Sequence, residues 1–186
     1  MKVCVHADQP GRPEVTEARS QTALNPILEN DRVAIWDVTD ARAREFDAVV
    51  VSLSGSAAFL PKGTPPKIVG RSIVIDLKDH PVAPLENTTG YPLAFPRPGV
   101  KKVLENERVI VWDCTWTLGV ATPTHFHDKD AVALFLDDGD LNSTTLDGQS
   151  VVNPHTAGEV RFALRNRTHT EMLVGGKQRA IFAELK

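Results

Sequence analysis

Residues 27–39 read ILENDRVAIWDVT, and residues 103–115 read VLENERVIVWDCT. Eight of these thirteen positions are identical at an offset of 76, which chance does not plausibly produce within one chain. Two fainter echoes follow in the same order. FDAVVVSLSGS from Phe46 faces KDAVALFLDDG from Lys129, and RSIVIDLK from Arg71 faces RAIFAELK from Arg179. The offset grows to 83 and then to 108, so the second copy carries two insertions. The expected organisation is an extension over 1–26, a short copy over 27–79, a connector over 80–102 and a fuller copy over 103–186. A first copy this short is marginal as an independent domain, so it is expected to pack on the second.

The apolar runs are short, rich in Val, Ile and Phe, and bounded by Gly, Pro, Asn or Asp, which is the punctuation of strands. The expected strands are 32–38, 48–53, 72–77, 108–118, 131–136, 150–152, 159–164, 171–174 and 180–185. Helical spacing occurs only around 14–28. Many short strands with almost no helix imply an all-β sandwich or barrel. The connector carries Pro81, Pro84, Pro92, Pro96 and Pro98, a density that favours an extended path over a central strand. Asp137, Asp138 and Asp140 around Gly139 read as a hairpin turn.

With 41% hydrophobic residues and a net charge of −3, the chain can bury a core but carries no basic field for nucleic acid or an anionic membrane. No apolar run is long enough to span a bilayer. Asp8, Pro10 and Gly11 interrupt the N-terminus where a signal peptide needs an apolar stretch, so a cytoplasmic location is expected. Cys4 and Cys114 lie far apart and suit a reducing compartment.

His125 and His127 are two apart on an expected strand, so both rings point to one face. Such a pair presents two nitrogen donors suited to a transition metal. His169 precedes another strand and is the candidate third donor. His6, His80 and His155 read as ordinary surface positions. Aligning Asp47 with Asp130 places Arg42 and Arg44 where the second copy has His125 and His127, so the first copy has no ligand set.

The second copy resembles the cupins, double-sheet barrels of the jelly-roll kind. Gly119, His125, His127 and Gly139 match the family's first motif. Gly148 and Pro154 keep the spacing of its second motif, Gly158 stands two positions late, and His169 lies further on than usual. The resemblance covers most of 103–186 and reaches 27–78 only through the repeat, making the first copy a degenerate cupin-like unit. The usual acidic ligand position falls on Ala131 or Val132, so the chain is similar to the three-histidine cupins. Asp130 stands one residue early; a bulge would make it a ligand or acid/base group, whereas its match to Asp47 favours a structural role.

What the resemblance implies is one divalent transition metal on His125, His127 and His169: ferrous iron first, then zinc, manganese or nickel. The activity it implies is a mononuclear non-haem oxygenase acting on a small molecule. A metal-dependent isomerase or lyase, or a non-catalytic ligand-binding barrel, are the alternatives. Glu171 is a candidate base, or an acceptor that orients His169. Arg165 and Arg167, near Arg161, would suit an anionic substrate if they face the barrel, and solvent if they do not. Trp116 lines either the pocket or the core, while Trp36 and Trp112 occupy equivalent packing positions. A homodimer is implied by the resemblance alone.

Overall fold

A computed structural model describes residues 25–39, 43–68 and 70–186. The expected helix over 14–28 lies almost wholly outside these residues, and Leu28 at its end opens a strand instead. No helix occurs among the described residues. Strands β1 (Leu28–Glu29), β2 (Val33–Val38), β3 (Asp47–Ser52), β4 (Ala57–Leu60) and β5 (Ser72–Leu77) form one antiparallel sheet in the order β1-β2-β5-β3-β4. The chain continues through β6 (Val100–Glu105), β7 (Val109–Trp116), β8 (His125–His127), β9 (Ala131–Phe135) and β10 (Gly139–Thr145). It ends with β11 (Ser150–His155), β12 (Val160–Ala163), β13 (Arg167–Gly176) and β14 (Gln178–Leu185).

These later strands make two further sheets, β6-β7-β14-β9-β12 and β11-β10-β13-β8. The first has the same strand order as the N-terminal sheet. The registers also agree: Val33 pairs with Leu77 and Trp36 with Val74, as Val109 pairs with Leu185 and Trp112 with Phe182. The offset between copies first grows across β8, then again across β10, β11 and β13. Those four strands build the second sheet of a jelly-roll barrel, and the first copy stops at a single sheet.

Three layers result. Val33, Ile35, Val49, Ile73 and Ile75 of the N-terminal sheet pack against Val109, Val111, Leu134 and Ile181 of the middle sheet. The other face of the middle sheet sends Trp112, Cys114, Trp116, Ala133 and Phe182 into the barrel. A sheet buried on both faces reads as unbroken apolar runs, which is why VIVW, AVALF and AIFA show no alternation.

Polar contacts within and between the first two layers are related in pairs, as at an isologous interface between subunits. Arg32 meets Asp130 at 2.7 Å and donates to the Lys186 carbonyl at 3.1 Å. Its counterpart Arg108 meets Asp47 at 3.2 Å and donates to the Leu77 and Lys78 carbonyls. Asp130 Oδ1 accepts from the Arg165 amide, and Asp47 Oδ1 from the Lys62 amide, both at 2.9 Å. Trp36 donates to Asp76 at 2.8 Å, as Trp112 does to Glu184 at 2.7 Å.

Gly139 is not a turn residue as expected; it opens β10, where a Cβ would overlap the Lys177 carbonyl oxygen. The proline-rich connector runs beside β8, with the Ala94 amide donating to the Phe126 carbonyl at 2.8 Å, and it seats Phe95 inside the barrel. It ends sooner than expected, since β6 begins at Val100.

Candidate functional site

Alternation along β8 turns His125 and His127 into the barrel. Strand β13 runs antiparallel to β8 with His169 opposite His125 and Arg167 opposite His127. The three rings meet edge to face around one point, with centroids 5.0, 4.8 and 5.1 Å apart. A His-x-His strand with a third histidine across the ladder, in a jelly-roll barrel and in the glycine frame above, decides the fold. The chain has the cupin fold.

The three histidines fit a metal ion. Their candidate ligand atoms lie within 4.8 Å of one another, and all three residues are buried. The Nε2 atoms of His127 and His169 approach to 3.0 Å. Two nitrogens each about 2.1 Å from one ion and at right angles stand about 3.0 Å apart. His125 donates from Nδ1 to the Pro123 carbonyl at 2.8 Å, which leaves its buried Nε2 without a partner among the described residues. A ring held at Nδ1 with a bare Nε2 is the tautomer a ligand requires.

Burial holds all three rings neutral. His127 is pushed down to about 2 and His169 to about 4, in both cases chiefly by desolvation. Desolvation lowers His125 as well, against the raising effect of the Pro123 carbonyl. In metal-free protein this couples stability to pH. Above pH 6.5 the folded and unfolded histidines are both neutral and stability is complete. Below it the unfolded chain binds protons that the folded barrel refuses. Stability should therefore fall between pH 6.5 and about 4, by about 1.4 kcal/mol per pH unit for each histidine that stays neutral. Urea midpoints of chelator-treated protein that stay flat over this window would contradict the buried neutral cluster.

Ser143 of β10, paired with Glu171 of β13, lies 2.9 Å from His169 Nδ1. A serine hydroxyl at this distance holds the ring in place and can accept from Nδ1–H, which leaves Nε2 free for an ion. Ser143→Ala should weaken metal binding about 10–100-fold while leaving the fold intact, as read by competition with a chelator.

Glu171 stands beside the cluster, with Oε1 4.0 Å from His169 Nε2. Its Oε2 accepts from Trp116 Nε1 at 3.1 Å and lies 3.4 Å from the Arg97 guanidinium. Burial works to raise this carboxyl, but His169 first, then Arg97, His125 and the Trp116 N–H, hold it below the ordinary carboxylate range. Trp116 is thus a buried hydrogen-bond donor to Glu171. Asp130 is elsewhere: its carboxylate is turned to Arg32 and the Arg165 amide at the interface between the copies. Arg165 also leaves the site, donating to the Ala83 carbonyl at 2.6 Å. Arg167 stays, on the inward face of β13 one step from His169.

Two residues at the site gave no sequence signal. Arg97 lies in the connector, yet its side chain is only 5% exposed and covers the faces of Trp116 and Phe95. His155 corrects the expectation of a surface position. It is 6% exposed and stacks on Phe135 at 3.7 Å. The expected strand over 150–152 runs on to His155, because β11 is an edge strand, where Pro154 costs no ladder bond.

No protein-family model matches the chain, and no functionally curated protein matches it. Among solved structures, the chain is similar to a cupin domain from Bordetella pertussis, 26% identical over 49% of this chain and 97% of that one, with a TM-score of 0.43. It is similar to a cupin 2 conserved barrel domain protein from Leptotrichia buccalis at 13% identity, over 87% of each chain, with a TM-score of 0.46. A polyketide cyclase from Streptomyces resistomycificus is 18% identical over 56% of this chain and 79% of that one, with a TM-score of 0.40. Among the described residues no helix is long and apolar enough to cross a membrane.

Proposed function

We propose that the barrel is the active site of a mononuclear metalloenzyme acting on a small molecule, with ferrous iron and oxygenase chemistry as its working form. The observation that carries this is the convergence of three buried, neutral imidazoles on one point beside a cavity. His125, His127 and His169 would hold the ion. A divalent metal with three neutral ligands keeps its full positive charge and open positions, where it can bind dioxygen and a chelating substrate.

The chain's own residues supply the rest. The Pro123 carbonyl and Ser143 orient the outer nitrogens of His125 and His169. Glu171 is the group placed to take or give a proton next to the metal, and Arg97 with Trp116 keeps it ionised and aimed. Phe95 packs edge-on against His127 and, with Trp112 and Phe182, keeps water from that side. The test is nitric oxide, a spectroscopic stand-in for dioxygen, added anaerobically to iron-loaded protein. A half-integer-spin resonance that is lost in His125→Ala supports open positions on a histidine-held iron. No resonance from protein that holds iron would overturn the oxygenase reading.

A further inference from the structure

The barrel cavity does not end at the histidines. It runs from His169 and Glu171 between the two barrel sheets to His155 and Arg161, enclosing about 140 Å³. That is close to the engineered cavity of about 150 Å³ that accepts benzene. Phe135, Leu141 and Phe182 give it apolar walls. Its far end and rim are cationic and polar, carrying Arg161, Arg167 and His155.

The charges there do not balance. Arg161 is bound to Glu159, which also stands 3.5 Å from His155 Nδ1. Arg167 donates from Nε to the Leu164 carbonyl, and among the described residues no carboxylate lies within 4.0 Å of it. One guanidinium therefore faces the site with both terminal nitrogens free to form a fork. His155 lies flat on Phe135, its buried Nδ1 3.5 Å from Glu159 and without a hydrogen-bond partner among the described residues. The charge arrangement favours one negative charge on the ligand rather than two: a single unpaired guanidinium stands at the rim, and the Glu171 carboxylate lies at the inner end.

We propose that this cavity takes a small, half-apolar monocarboxylic acid, its carboxylate on Arg167 and its apolar body between Phe135 and Phe182. Its size is about six to nine non-hydrogen atoms, as the volume allows. His155 faces the body of the acid from the side opposite His169. This deepens the reading of the barrel as a small-molecule site and rests on it. Arg165, turned outward onto Ala83, takes no part.

Benzoate and its neutral analogue benzamide are the probes, titrated by calorimetry into full-length protein stripped of metal by a chelator. A charge-assisted fork should favour benzoate about tenfold or more. Arg167→Gln should reduce that preference below about threefold, and Arg165→Gln should leave it unchanged. Equal binding of the two probes, binding of neither, or a preference that survives Arg167→Gln would overturn the proposal. Metal content measured on the same preparations before stripping keeps the two readings apart. A benzoate preference without metal sinks the metalloenzyme and spares the acid site; metal without the preference does the reverse.

Discussion

Asp130→Ala is expected to destabilise the protein by about 3–5 kcal/mol, because it leaves the Arg32 guanidinium buried and unpaired. Both side chains of that pair are 9% exposed. The same substitution strips the Arg165 amide of its acceptor. Asp47→Ala, at the equivalent place in the first copy, removes a pair whose side chains are 31% and 27% exposed. It should cost about 1 kcal/mol or less, since water screens that pair. Denaturant midpoints of the two variants measure the difference directly. Equal midpoints would contradict the account of Asp130 as a clasp between the copies. Asp130→Asn should keep its metal, because the carboxylate does not face the histidines.

That role was partly legible in the chain. Asp47 and Asp130 sit at matching positions although only the second copy has histidines, and a residue shared by both copies serves what both copies do. The structure shows the shared task, an inter-copy ion pair and a loop anchor in each. The histidine cluster was legible for a different reason. A strand repeats every two residues, so His-x-His commits both rings to one face whatever the rest of the fold does. His169 carried no such local signal; its place came from the resemblance, and the β8–β13 register shows how it reaches the site.

Other features had no signature. β10 reads GDLNSTT, with no apolar run to mark it, and of β11, SVVNPH, only 150–152 was expected as a strand. β6, VKKVLE, is an exposed edge strand rich in lysine, the charge pattern that keeps an edge from pairing with other chains. Arg97 and His155 lie beside prolines, and proline marks local backbone limits while saying nothing of where a loop or edge is pressed in the folded barrel. The strand order shared by two sheets was implicit in the repeat. That they pack face to face was not, because both faces of the middle sheet are apolar.

The central claim is that three neutral histidines hold one metal ion. His127→Ala removes one of the three buried rings. Losing a ligand should weaken metal binding by more than the about 10–100-fold that loss of an outer partner costs. The decisive measurement is elemental mass spectrometry of the purified protein beside His127→Ala, with circular dichroism confirming that both are folded. The account predicts about one equivalent of iron, or of another first-row metal, in the parent chain and almost none in the variant. Metal retained in full by folded His127→Ala, or no metal in the parent even after reconstitution with ferrous iron, would contradict it.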